Sequence, residues 1–282
     1  MAAAVSSTFS TWTNHFASNQ RPPAGWSLDT RTDWQHDGQL VVAGGKTASP
    51  DSALGDLDHF VPSNGAEIQG DVVMVNGIMT DLALQSADLQ AMADRGFRVV
   101  GVHNSTRGLV NDLAQCVGDK LNLHTAENKA ITTTARLVQQ AVETGRQLSL
   151  VGHSQGALII SAALYQVNKE LAASGHSASE AEAKLAHIEV TTLGGAAATY
   201  PKGPTYAHHY NTSDLVPMVT GRPLWASLAP DSKESLHSFS ACQPAGQLPP
   251  WSNGVTNRLA RLVDATVHGA SAVYLPRLDR VG

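Results

Sequence analysis

The sequence predicts an α/β domain, a mostly parallel central sheet with helices on both faces. Three observations predict it. Continuous apolar runs of strand length, 71–75, 97–102 and 148–151, alternate with helix-length runs at 81–95, 130–144 and from 157 onward. Strands that apolar are buried on both sides, and alternation with helices implies parallel crossovers. The punctuation agrees, because Asn76-Gly77, Gly96 and Gly145 close successive units. Composition agrees as well: 282 residues, 42% hydrophobic and 15% charged, can bury one large core.

Residues 1–25 are rich in Ser, Thr and Ala, end near Pro22-Pro23, and read as a loosely ordered arm before a domain spanning 26–282. Asp37-Gly38, between runs 26–34 and 39–43, predicts a β-hairpin turn. Gly44-Gly45-Lys46-Thr47 resembles the end of a phosphate loop, but Leu40 stands where that loop needs its first Gly. Residues 47–69 read as loop. In the helix over 81–95, Leu82, Leu84, Leu89 and Met92 form a broad apolar face. A polar excursion covers 103–128. Beyond the helix starting at Ala157, the stretch 172–184 predicts its tail and a short helix. Runs 187–193 and 205–210 predict two more strands. An amphipathic helix over 253–270, with Val255, Leu259, Leu262, Val263 and Val267 inward, is expected to cover the sheet.

The chemistry concentrates in Gly152-His153-Ser154-Gln155-Gly156, between a buried strand and an apolar helix. A G-x-S-x-G turn in that context is too tight for side chains at its outer positions. It lifts one hydroxyl above the sheet, with the next backbone N–H turned the same way. That suits nucleophilic attack on an acyl group. A serine hydroxyl needs a base, and the base an orienting carboxylate, so candidates are sought beyond later strand ends. Asp214 follows the strand ending at Tyr210, in Asn211-Thr-Ser-Asp214-Leu-Val-Pro217; Asp231, in a turn, is the spare. Of 12 histidines, only His237 and His268 follow Asp214. His237 follows a polar loop and is the expected base. His268 falls inside the C-terminal helix pattern. His208 and His209 fall on opposite strand faces and cannot share a metal. His153 is expected to pack or hydrogen-bond beneath the serine. The oxyanion donors are expected to be the N–H groups of Gln155 and of Ile78, or of Met79, in the loop after Val75, with Asn76 bracing that loop.

With these residues in view, stretch 70–245 resembles the α/β-hydrolase superfamily. The matching motifs are Val75-Asn-Gly-Ile78, Gly152-His-Ser-Gln-Gly156 and Asn211-x-x-Asp214-Leu-Val-Pro217. The last is similar to the acid loop of fungal-type triglyceride lipases, the class 3 lipases. The resemblance implies an α/β-hydrolase fold and a lipase or esterase triad of Ser154, Asp214 and His237. Three departures stand out. Asn76 replaces the usual His of the oxyanion loop, Ala157 replaces a second Gly after the elbow, and His237 comes only 23 positions after Asp214, with no clear last strand between them.

The expected reaction is hydrolysis of a carboxylic ester with an acyl chain, through an acyl-enzyme. A thioesterase or amidase on the same triad and a non-catalytic binding protein are the rivals. Met79, Met218 and Trp225 are candidate substrate contacts, and 215–228 and 104–123 are candidate lids. The expected partners are an acyl ester or lipid substrate and a transient contact with a membrane surface. No cofactor or metal is expected, since no His/Cys/carboxylate cluster has ligand spacing. A net charge of −5 without a basic block argues against nucleic acid. The first twenty residues hold no Lys, Arg or sustained apolar run, and no run is long enough to span a membrane. The expectation is a cytoplasmic protein, or one exported without a cleavable leader. Cys116 and Cys242 read as free thiols.

Overall fold

The computed structural model describes residues 34–77, 80–105, 128–214, 217, 221, 233–239 and 274–275. Eight strands form one sheet: β1 (Leu40–Val42), β2 (Lys46–Ala48), β3 (Gly70–Val75), β4 (Phe97–Val102), β5 (Leu148–His153), β6 (Ile188–Leu193), β7 (Thr205–Asn211) and β8 (Glu234–Phe239). Their order is β2-β1-β4-β3-β5-β6-β7-β8. Every pairing from β4 to β8 is parallel, and only the β1–β2 and β1–β4 pairings are antiparallel. The helices are α1 (Leu82–Ala93), α2 (Lys129–Thr144), α3 (Gln155–Ala173) and α4 (Ala178–Leu185).

Two apolar layers hold the sheet. On one face Val73, Val75, Val100, Leu150 and Val190 pack with Ile131 and Val138 of α2 and Ile159 and Leu164 of α3. On the other, Val72, Met74, Val99 and Val151 pack with Leu89 and Met92 of α1 and with Tyr274. Alternating strand residues feed the two layers, as a parallel sheet sandwiched by helices requires. This is the α/β-hydrolase architecture the sequence predicts.

Local chemistry sets the helix ends. Asp81 caps α1 by accepting from the Leu84 N–H at 2.7 Å, and Asn128 caps α2 by accepting from the Ile131 N–H at 3.0 Å. Ser177 and Glu180 form a capping box on α4. In α1 the buried face is Gln85, Asp88, Leu89, Met92 and Ala93, whereas Leu84 is 49% exposed. Leu84 therefore leaves the expected apolar face, and Gln85 takes its place because its amide has a partner, donating to the Val102 carbonyl at 3.1 Å.

The N-terminal hairpin lies one element later than predicted. Its strands are β1 and β2, joined through Ala43–Gly45, with Gly44 at φ 74°. Asp37-Gly38 instead docks onto the end of β4. The Gly38 N–H donates to the His103 carbonyl at 2.8 Å, and Asp37 accepts from the Ser105 N–H at 2.9 Å. The predicted helix over 253–270, the arm 1–25 and both cysteines lie outside the described residues. No described helix is long and apolar enough to cross a membrane.

Candidate active site

Strand order places the site. The chain runs from β3 outward to β4, then returns to place β5 on the other side of β3. The carboxyl ends of β3 and β5 therefore flank a topological switch point, where open α/β sheets bind ligands. Ser154 follows β5 and Gly77 follows β3.

Ser154 sits at φ 54°, ψ −119°, and among the described residues it is the only non-glycine with positive φ. Such a conformation costs on the order of 1–3 kcal/mol and persists only where the surroundings enforce it. Here they do. The Ser154 N–H donates to the Leu193 carbonyl at 3.0 Å, and its carbonyl accepts from the N–H of Ala196 at 3.0 Å and of Ala157 at 3.2 Å. Both outer glycines are required by contact. A Cβ at Gly152 would lie 2.6 Å from the Ala157 nitrogen, and one at Gly156 would lie 2.1 Å from the Val75 carbonyl oxygen. Ala157, the departure from the lipase elbow, is fully buried, and a Cβ at Gly195 would come within 2.9 Å of its methyl. The small residue that makes room for Ala157 is Gly195, just after β6.

Gln155 is the first residue of α3, so its N–H has no carbonyl one turn earlier to bond. The β3–α1 loop reaches the serine closely, since a Cβ at Gly77 would lie 2.8 Å from Ser154 Cβ. Asn76 does brace this loop. Its Oδ1 accepts from the Asn104 N–H at 2.7 Å, and its Nδ2 donates to the carbonyls of Gly77 at 2.9 Å and Asn104 at 3.0 Å. Asn104 Nδ2 in turn donates to Gln155 Oε1 at 2.7 Å. The ends of β3, β4 and β5 are thus tied by three buried carboxamides. Ile78 and Met79 lie outside the described residues.

Asp214 is completely buried. Its N–H donates to the Asn211 carbonyl at 2.9 Å, and the Ser213 N–H donates to Asn211 Oδ1 at 3.2 Å, so the acid loop is an Asx-type turn. Asp214 Oδ2 accepts from the Tyr274 hydroxyl at 2.5 Å. The sequence reading missed Tyr274; an aromatic residue six positions after His268 was its only signal. The Tyr274 ring stands 6.3 Å from that of His153, which is itself buried behind the serine.

The structure places His237, expected after a polar loop, in a strand. The last strand, unseen in the sequence, is Glu234–Phe239, and His237 lies within it rather than in a loop beyond it. His153, Leu193, His209 and His237 stand in one row across β5, β6, β7 and β8. Three inter-strand spacings, about 14 Å, therefore separate His237 from the elbow strand. Its ring stacks on His209 at 4.7 Å, and its Nε2 pairs with Ser235 Oγ at 2.9 Å. Both histidines line a groove of about 890 Å³ with Asp71, Arg98, Ser149 and Thr191, and neither Ser154 nor Asp214 is among its walls. A polar strand of Glu, Ser, His and Ser lacks the apolar signature of its neighbours, so a lone histidine in it reads as loop. His268, Met218 and Trp225 lie outside the described residues.

His208 and His209 do face opposite ways. His208 Nδ1 pairs with Thr192 Oγ1 at 2.9 Å, among Tyr200 and Tyr206, while His209 stacks on His237. Among the described residues no group of three His, Cys, Asp or Glu could hold a metal ion. Burial, and then the neighbouring His237, push His209 down to about 4. Its folded-state value is thus below the ordinary 6.5. An unfolded chain binds the proton first, so stability present above pH 6.5 is lost as pH falls towards 4. The full shift corresponds to about 3 kcal/mol. His209→Phe keeps the ring and removes the proton site. Urea unfolding of the variant should lose less stability between pH 6.5 and 4 than the parent. Equal losses would remove His209 from the account.

No protein-family model matches the chain, and no curated protein sequence does. Solved structures do. A dienelactone hydrolase of Klebsiella pneumoniae, described as putative, is 11% identical over 75% of this chain and 85% of its own, with a TM-score of 0.39. A protein of Agrobacterium tumefaciens described as a putative α/β hydrolase is 12% identical over 79% and 88%, with a TM-score of 0.38. Lipase B of Aspergillus fumigatus is 10% identical over 64% of this chain and 47% of its own, with a TM-score of 0.33. At these identities and TM-scores the likeness carries no argument; the fold rests on the sheet topology and the chemistry on the site itself.

Proposed function

We infer that the protein is a serine hydrolase that cleaves carboxylic esters, with acyl or lipid esters as its substrate class. The observation that carries the reading is the strained backbone of Ser154, held at the switch point beside the first N–H of α3 and the Asn76-Gly77 loop. A conformation this costly, clamped by three backbone hydrogen bonds, serves to present a nucleophile.

In the proposed reaction Ser154 Oγ attacks the ester carbonyl while its proton passes to a histidine oriented by Asp214. The carbonyl oxygen gains the charge, and the N–H groups of Gln155 and Ile78 receive it. Asn76 supports the second donor. Its Nδ2 holds the Gly77 carbonyl at 2.9 Å, in the loop proposed to carry that donor. Collapse expels the alcohol, which takes the proton from the histidine. Water then repeats the sequence on the acyl-enzyme, releasing the acid and freeing Ser154. Met79, Met218 and Trp225 are proposed to line the acyl pocket, and contact with a lipid surface is proposed to deliver the substrate.

We assign the base to His268 rather than His237. Tyr274 rests on Asp214, and His268, outside the described residues, stands six positions before Tyr274 in the sequence. His237 is fixed in β8.

A fluorophosphonate probe tests the nucleophile. Labelling that disappears in Ser154→Ala supports the reading, and a folded protein that stays unlabelled assigns the scaffold to binding. Acyl esters of graded length, run beside matched thioesters and amides, then read the leaving-group preference. Faster turnover of thioester or amide than ester would overturn the substrate class while keeping the nucleophile.

A further inference from the structure

Tyr274 is a phenol in the core, with 1% of its surface exposed. A buried hydroxyl needs partners, and this one has two that belong to the acid loop. It donates to Asp214 Oδ2 at 2.5 Å and accepts from the Asn211 N–H at 3.2 Å. The end of β6 is shaped around the pair. Gly194 has φ 58°, and a Cβ there would stand 2.7 Å from the Tyr274 oxygen and 2.9 Å from Asp214 Oδ2. The same ring lies against His153, the residue before the nucleophile. One side chain thus spans the acid turn and the elbow.

The geometry points to Tyr274 as a positioning residue for the acid. Its hydroxyl holds Oδ2 and so fixes the direction of the carboxylate, and it shares the carboxylate charge that the imidazole feels. This rests on the reading of Asp214 as the triad acid. Burial first, and then the charge of Asp214, push the phenol far above its ordinary range, so it remains a donor at any working pH. Among the described residues the titratable groups beside the pair are His153 and Tyr210.

Removing the hydroxyl has two consequences. The carboxylate loses a hydrogen bond that fixes its direction. Its charge also becomes more available to the imidazolium, which then gives up its proton at higher pH. Tyr274→Phe keeps the ring packing. It should lower kcat/KM about tenfold to a hundredfold, the scale of a hydrogen bond to a charged group, mostly through kcat. The acid limb of the pH profile should move upward by about half a unit or more. A merely structural phenol would lower the melting temperature and leave that limb in place.

Fluorotyrosine at position 274 is the second variant, because it keeps the shape and makes the hydroxyl a stronger donor. It should move the limb the other way, and it reads the same role if the phenylalanine variant does not fold. An unmoved limb in fluorotyrosine enzyme, or wild-type rate and limb in Tyr274→Phe, overturns the inference. Ser154→Ala and Asp214→Asn separate the two failures. If these retain activity, the triad reading has failed; if they are inactive while both Tyr274 variants match wild type, only the role of Tyr274 has failed.

Discussion

His268→Ala is expected to lower kcat/KM on a carboxylic ester by about a thousandfold or more, and His237→Ala to leave it within about threefold. The contrast follows from where each imidazole can go. A general base must come within hydrogen-bond reach of the serine hydroxyl and of the acid at once. His237 is paired in register with His209, stacked on its ring and bonded to Ser235. Bringing it to Ser154 would require unpairing β8 from the sheet. His268 lies outside the described residues and stands six positions before a tyrosine that touches Asp214. Removing a base also removes the acid that protonates the leaving alcohol, which is why the loss is large. Loss of the His237 ring should appear in stability instead, at about 1 kcal/mol for an aromatic stack. Kinetics and urea unfolding of both variants decide the matter. A thousandfold loss in His237→Ala with its unfolding midpoint unchanged would return the role to β8.

What the sequence disclosed, and what it concealed, divides along physical lines. Strands buried on both faces announce themselves, and β3, β4 and β5 stand within a residue or two of their apolar runs. The helix end at Gly145 was equally legible, because a left-handed glycine cap depends on local chemistry, whereas the caps at Asp81 and Asn128 went unread and the end read at Gly96 falls at Asp94. The elbow was legible because strand, turn and helix are contiguous in the sequence, although Gly156 answers to Val75 on a neighbouring strand. Strand β8 was not, since among the described residues it stands at the edge of the sheet, where polar residues are tolerated. Nor was the hairpin turn. Asp37-Gly38 and Gly44-Gly45 are both good turn chemistry, and only the tertiary bond from Gly38 to His103 decides between them. The partnership of Tyr274 with Asp214 joins residues 60 apart, and no local pattern encodes it.

The three carboxamides explain why the loop after β3 carries Asn76 and not a histidine. An imidazole offers two nitrogens, but this junction needs one acceptor and two donations at once. Asn76 accepts from the Asn104 N–H and donates to two carbonyls, while Asn104 reaches on to Gln155. The amide therefore couples the loop after β3 to the residue that supplies the other proposed oxyanion donor. A network closed around the nucleophile in this way leaves little freedom for the backbone beneath it.

That lack of freedom makes Gly156→Ala the substitution with the largest expected effect on stability. Its methyl would stand 2.1 Å from the Val75 carbonyl oxygen, 2.7 Å from the Val75 carbonyl carbon and 3.0 Å from the Asn76 carbonyl oxygen. All three are main-chain atoms of β3 and the loop that follows it, so no side chain can turn aside. The helix must back away from the strand, at a cost of about 3 kcal/mol or more for overpacking against a fixed core. For a domain of this size that is a fall of roughly 6–12 °C in Tm. Activity should fall further than stability, because the same movement separates Ser154 from Gly77. Gly145→Ala is the matched control. It has φ 65° and nothing within 4 Å of a new methyl, so it carries only the left-handed strain, about 1 kcal/mol. Thermal unfolding of the two variants, with fluorophosphonate labelling rates measured well below either Tm, separates contact from strain. Equal losses in both would mean that the approach of α3 to β3 does not set the requirement for glycine at position 156.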